Sequence, residues 1–138
     1  DVRFSARDIL ATADELLSHL SQTHDTTHGV PSGVLFDQAN KKILVFREDV
    51  GRHNVFDKLY GWALKNHVEI SDKIIIFSGR CSSEMMLKLG RMGISTVAAK
   101  SVPTTLSLNI ARKLGITLCA RMAPGSFCIY ANPERITL

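Results

Sequence analysis

The chain has 138 residues, 45% of them hydrophobic and 22% charged, the balance of one soluble globular domain with apolar side chains enough for a core. Lys and Arg number 17 against 13 Asp and Glu, a net charge of +4 that suits an anionic partner such as a phosphate, while the short basic runs and sparse aromatics argue against a nucleic-acid surface. Apolar runs of about five residues, against the ~20 that a membrane span needs, exclude a transmembrane helix.

In chain order, residues 4–22 read as a helix opened by the capping-box pattern Ser5-Ala6-Arg7-Asp8, with Ile9, Leu10, Ala13, Leu16, Leu17 and Leu20 at helical spacing. Gln22 to Ser32 reads as a polar loop. Gly33–Phe36 and Lys42–Arg47 follow as two strands of a hairpin. A second helix is expected over His53–His67, with Val55, Phe56, Leu59, Tyr60, Trp62 and Ala63 inward. Lys73–Phe77 is a β-branched run of the kind buried on both faces. Cys81–Met92 reads as a third helix stopped by Gly93, with Met85, Met86 and Met92 as core. Ile94–Ala99 is the next strand. Pro103 marks the first turn of a helix that runs to Leu114 and stops at Gly115. Ile116–Ala120 and Phe127–Tyr130 are the last strands, joined by a loop over Arg121–Ser126. Helices alternating with strands predict a sheet covered on both faces, with the two middle crossovers parallel and right-handed. No linker or low-complexity tract interrupts residues 1–138, which reads as a single domain, and a chain that begins at Asp1 without Met reads as part of a longer protein.

Three cysteines, Cys81, Cys119 and Cys128, form neither a C-x-x-C pair nor a zinc spacing, the usage expected of reduced thiols in a cytosolic protein. Cys81 beside Arg80 at a helix start is either a small buried residue or a thiol with a lowered pKa. His24 and His28 have a metal spacing for a helix but lie in a loop with Asp25 as the nearest carboxylate, so no metal site is expected.

One short pattern occurs twice: a strand, a Gly-Arg pair and a helix start. Leu44-Val45-Phe46 leads to Gly51-Arg52-His53, and Ile74-Ile75-Ile76-Phe77 to Ser78-Gly79-Arg80. Helix starts offer free N–H groups, glycine admits close approach, and arginine supplies a fork for phosphate or carboxylate. If the two strands are neighbours, both starts face one crevice at the carboxyl edge of the sheet, a candidate anion site. The alternative is structural: Gly51 and Gly79 serving turns, Arg52 pairing with Asp49 or Asp57, and Arg80 with Glu84. His53 is either a general base or ligand contact, or a cap or surface residue. Ser101-Val102-Pro103-Thr104-Thr105 either caps a helix or also contacts phosphate oxygens, and Arg121-Met122-Ala123-Pro124-Gly125-Ser126 is either a ligand loop or plain turn chemistry.

At these residues the sequence resembles a known family. Glu48-Asp49-Val50-Gly51-Arg52-His53-Asn54 with Asp57-Lys58, then Ser78-Gly79-Arg80 with Ser82 and Glu84-Met85, resemble the FdhD/NarQ family of formate dehydrogenase accessory sulfurtransferases. Ser101-Val102-Pro103-Thr104 resembles its S-A-P-T motif, and Tyr130 with Pro133-Glu134-Arg135 its terminal segment, so the likeness runs from Thr27 to Ile136. The resemblance implies a cytidine-deaminase-like α/β fold, a three-layer αβα sandwich around a mixed sheet, without the deaminases' zinc. It implies a sulfur carrier that takes persulfide sulfur from a cysteine desulfurase. The carrier passes it to the molybdenum bis-guanine-dinucleotide cofactor before that cofactor enters formate dehydrogenase. By the same resemblance the protein is a cytoplasmic homodimer. Gly51, Arg52, His53, Ser78, Gly79, Arg80 and the segment Arg121, Met122, Ala123, Pro124, Gly125 and Ser126 would contact the guanine-nucleotide part of the cofactor. The family's persulfide cysteine sits in a C-x-x-C segment upstream of this region, so no catalytic residue is expected within the chain, which matches the C-terminal domain. A guanine-nucleotide-binding module without sulfur transfer is the alternative. Two local differences stand out: the family's T-G-G-x-H loop reads Thr27-His28-Gly29-Val30-Pro31, and Arg121 is shifted relative to the family's Arg-Gly pattern.

Overall fold

The computed structural model describes residues 2–22 and 30–138. Among the described residues six strands form one mixed sheet: β2 (Ser32–Asp37), β3 (Lys42–Glu48), β4 (Lys73–Phe77), β5 (Thr96–Ala99), β6 (Thr117–Ala123) and β7 (Ser126–Ala131). Their order across the sheet is β3-β2-β4-β5-β6-β7. β4, β5 and β6 run parallel, as the alternation of strands and helices predicts, while β2 is antiparallel to both β3 and β4.

The sheet alternates sides residue by residue, and its two faces carry separate cores. Leu35, Ile75, Phe77, Val97 and Leu118 point to the face covered by α2 (Arg52–Lys65), α3 (Ser83–Met92) and α4 (Thr105–Leu114). Val34, Phe36, Ile74, Ile76 and Cys119 point to the face covered by α1 (Ala6–Gln22) through Ile9, Ala13 and Leu16. This is the expected three-layer arrangement. Met85, Met86 and Met92 are core, as their spacing predicts, and Tyr60 and Trp62 are half-buried at its margin. Phe56 meets Phe77 edge to face at 5.1 Å between ring centroids, fixing α2 over the end of β4. Each such fully buried side chain contributes about 1.5–3 kcal/mol by the area it removes from water.

Two expectations are corrected. The first helix begins at Ala6, because Phe4–Ser5 form a short strand, β1, parallel to Ile136–Thr137, β8. Phe4 is fully buried in the α1-side core, which pulls this segment out of the helix. Ser5 does cap α1, its Oγ accepting from Asp8 N at 3.2 Å, but the other half of the capping box runs through Gln38. Gln38 Oε1 accepts from Ser5 N at 2.9 Å, and its Nε2 donates to Asp8 Oδ2 at 2.7 Å. The second correction is the Arg121–Ser126 loop. Arg121, Met122 and Ala123 belong to β6, Ser126 opens β7, and only Pro124-Gly125 turns the chain. Proline with φ fixed and Gly125 at φ +78° supply the two central conformations of a type II turn, so no longer loop is needed.

Candidate functional site

The carboxyl ends of β3, β4, β5 and β6 lie at one edge of the sheet, and α2, α3 and α4 all start there. β3 and β4 are not neighbours, because β2 lies between them. The two Gly-Arg segments are nonetheless drawn to this edge by the start of β2. Ser78 N donates to Ser32 O at 2.8 Å, and Ser32 N donates to Ser78 Oγ at 2.8 Å. On the other side Asp49 N donates to Pro31 O at 3.1 Å, and Lys100 N donates to Gly79 O at 3.1 Å. Pro31-Ser32 is therefore the hinge pin between the loops after β3 and β4, and Lys100 joins the loop after β5 to the same group. Ser32 is fully buried; its role was missed from the sequence, where the signal is no more than a serine opening an apolar strand.

The block before α2 divides into residues that build the loop and residues that project from it. Asp49 Oδ1 accepts from Gly51 N at 2.8 Å and from Asn54 Nδ2 at 3.2 Å, and Oδ2 lies 2.9 Å from Lys58 Nζ. The Lys58 hydrogen bond, with those from Gly51 and Asn54, holds the Asp49 carboxyl well below its usual range, at about 2. Lys88 Nζ sits 3.1 Å from Asp57 Oδ2 and reaches the His53 carbonyl at 3.5 Å, tying the first turn of α2 to α3. The carboxylates offered as structural partners for Arg52 are thus taken by lysines. The side chains of Arg52, Arg80 and Arg121 are exposed and make no hydrogen bond or ion pair among the described residues.

The glycines serve local packing rather than left-handed turns. A Cβ on Gly51 would stand 3.1 Å from Asn54 Nδ2, and one on Gly79 3.1 Å from the Phe77 ring. Gly51 is the backbone N-cap of α2, at φ −96°, with no side-chain cap of its own. α3 and α4 are capped by Ser82, which accepts from Met85 N, and by Thr104, which accepts from Ser107 N. Of the Ser101–Thr105 segment it is therefore Thr104 that caps.

At the β6–β7 hairpin the six expected residues separate. Met122 is buried in the α1-side core, while Ala123, Pro124, Gly125 and Ser126 are exposed at the turn. Arg121 has φ +56° where the β6–β7 register shifts between Ala120 and Ala123. Such a bulge re-aims a side chain at the cost of a left-handed residue, about 1–2 kcal/mol.

Cys81 is buried with Sγ 3.3 Å from Met86 Sδ, and burial pushes its thiol up to about 12. Among the described residues no group of three His, Cys, Asp or Glu stands close enough to hold a metal; His24 and His28, with the Thr27–Gly29 segment, lie outside those residues. Cys119 is likewise buried, its thiol pushed up to about 12, and Cys128 is exposed on β7. Among the described residues no helix is long and apolar enough to cross a membrane.

The sheet and the helices on its two faces define a three-layer α/β protein with a deaminase-like fold. The same fold recurs, at 10% identity and TM-score 0.61, in a diaminohydroxyphosphoribosylaminopyrimidine deaminase/reductase from Thermotoga maritima, covering 83% of this chain and 38% of that one. The chain belongs to the FdhD/NarQ family, whose family model matches residues 1–137. It is 47% identical over 116 residues to the sulfur carrier protein FdhD of Bacillus subtilis (strain 168), covering 84% of this chain and 44% of the relative. It is 41% identical over 120 residues to the protein of that name from Staphylococcus aureus (strain MRSA252), covering 87% and 44%. A solved structure described as a formate dehydrogenase accessory protein, from Desulfotalea psychrophila, superposes with TM-score 0.87 at 33% identity, covering 99% of this chain and 60% of that one. The chain therefore spans less than half the length of these curated relatives.

Proposed function

We propose that this chain is the domain of a sulfur carrier that binds the guanine-nucleotide end of the molybdenum bis-guanine-dinucleotide cofactor, the carrier's cargo. The observation that carries the reading is the pair of unpartnered guanidinium groups, Arg52 and Arg80, at two helix starts that Ser32 and Ser78 draw to one sheet edge. Phosphate oxygens would take the free N–H groups and the arginine forks together. Arg121 and the Pro124–Ser126 turn stand at the same edge and would close on the nucleotide.

The whole protein would receive persulfide sulfur from a cysteine desulfurase in the cytoplasm and hand it to the bound cofactor, which formate dehydrogenase then takes up. The sulfur would ride on a cysteine of the relatives' remaining length, since Cys81 and Cys119 are buried thiols and exposed Cys128, like them, stands in no C-x-x-C pair. Two copies would pair, which light scattering tests: a species of twice the chain mass is expected, and a monomer at tens of micromolar speaks against it. The reading itself is tested by NMR titration with guanosine diphosphate. Shifts concentrated at Gly51–His53, Ser78–Arg80 and Arg121–Ser126 are expected; shifts elsewhere, or none, contradict it.

A further inference from the structure

A second basic surface lies along α2 and shares no lining residue with the nucleotide reading. A groove of about 550 Å³ runs between α2 and the end of β3, lined by Arg47, Lys58, Gly61, Trp62, Lys65 and Asn66. Three of these six are cations and none is a carboxylate. Lys58 Nζ is held by Asp49 Oδ2 and the Glu48 carbonyl, each at 2.9 Å, which leaves one of its three N–H groups for a ligand, and Arg47 donates to its neighbour's carbonyl, Phe46 O, at 2.7 Å. Lys65 makes no side-chain bond among the described residues. Trp62, the chain's single tryptophan, rests against the core and is half-buried beside them.

Gly61 is the feature that folding leaves unexplained. It lies in the middle of α2, where glycine costs roughly 1 kcal/mol relative to alanine. Among the described residues a Cβ there would meet nothing within 4 Å, whereas one on Gly33 would stand 3.0 Å from Val55 Cγ1. Neither packing nor a turn calls for glycine at this position. What its missing side chain does is leave the helix flank open on the floor of the groove.

We propose that this groove is a docking site for an acidic segment of a partner protein. The spacing of the cations selects a chain over a small anion. Lys58 and Lys65 stand two helical turns apart, about 10 Å along the axis, beyond the span of one phosphate or carboxylate. An extended segment advances about 3.3 Å per residue, so acidic residues three apart reach both, with an apolar side chain between them over Gly61 and against Trp62. The proposal concerns a surface separate from the nucleotide reading and does not depend on it.

Trp62 makes the test direct. A short synthetic peptide of glutamate, serine and leucine is titrated into the chain while Trp62 emission is followed. A saturable emission change is expected, with affinity about tenfold weaker for Lys65→Glu and for Arg47→Glu and close to wild type for Lys113→Glu, a charge reversal on α4. Gly61→Ala is expected to raise the urea midpoint and yet weaken the peptide, which separates an open flank from a folding role. The proposal is overturned by an absent emission change, by equal losses in Lys65→Glu and Lys113→Glu, by wild-type peptide affinity in Gly61→Ala, or by inorganic pyrophosphate displacing the peptide stoichiometrically.

Discussion

Lys58 Nζ lies 2.9 Å from Asp49 Oδ2 and 2.9 Å from the Glu48 carbonyl, so the second turn of α2 grips the loop that leads into its own first turn. Because Asp49 also receives Gly51 N and Asn54 Nδ2, the block from Glu48 to Lys58 is a self-closed loop from which Arg52 projects. The greater part of the most recognisable stretch of this sequence is therefore architecture, which leaves the Arg52 side chain exposed beyond it.

That loop is expected to be acid-sensitive. The Asp49 carboxyl is lowered from 3.8 to about 2, below its unfolded value, so its stabilising effect is complete above about pH 5 and is lost as pH falls through 4 toward 2. Carboxyl NMR titration should find Asp49 near 2 in the wild type and closer to 3.8 in Lys58→Met, which removes the largest cause. An unchanged Asp49 titration in that variant would show that the lysine does not hold the loop.

The thiols should divide by burial. Cys81 and Cys119, pushed up to about 12 by desolvation, should resist iodoacetamide in the native protein, while exposed Cys128 reacts. Mass spectrometry after brief labelling checks this: one adduct, on Cys128, is expected, and all three should label in urea. Native labelling of Cys81 would reopen it as a reactive group.

At the opposite edge of the sheet, Asn132 closes α4. Its Nδ2 donates to Ile116 O at 2.8 Å and to Ala111 O at 3.2 Å, its own carbonyl accepts from Thr117 Oγ1 at 2.6 Å, and its φ is +49°. Asn132→Ala forfeits two bonds and places alanine in a left-handed conformation, a loss of about 1–3 kcal/mol in urea unfolding. Asn132→Gly relieves the backbone and should recover a part of it. Equal midpoints for wild type and Asn132→Ala would remove the side chain from the account of stability.

The layers of this fold were legible from apolar periodicity, which marks Ile74–Ile76 as doubly buried and Met85, Met86 and Met92 as one helix face. The insertion of β2 between β3 and β4 was not, since a hairpin's local pattern is the same whichever of its strands meets the sheet. The β1–β8 pair is two residues long on each side, too short to carry any period. At the site, the Gly-Arg repeat predicts both helix starts at the carboxyl edge of the sheet, where they do lie, although β2 separates the two strands whose adjacency that expectation supposes. Three things needed coordinates: the lysines that take Asp49 and Asp57, the Ser32–Ser78 clasp, and the burial of Met122 within what reads as a loop. Each depends on partners distant in sequence or on a bulge that no residue pattern announces.

The central claim, that unpartnered arginines at two helix starts hold a guanine nucleotide, is tested most directly by calorimetry with guanosine diphosphate on the wild-type chain, Arg52→Ala and Arg80→Ala. Saturable binding by the wild type is expected, weakened in each variant by about 1–3 kcal/mol, the usual worth of a charge-assisted contact. Affinity unchanged in both variants, or no binding by the folded wild-type chain, would contradict the account.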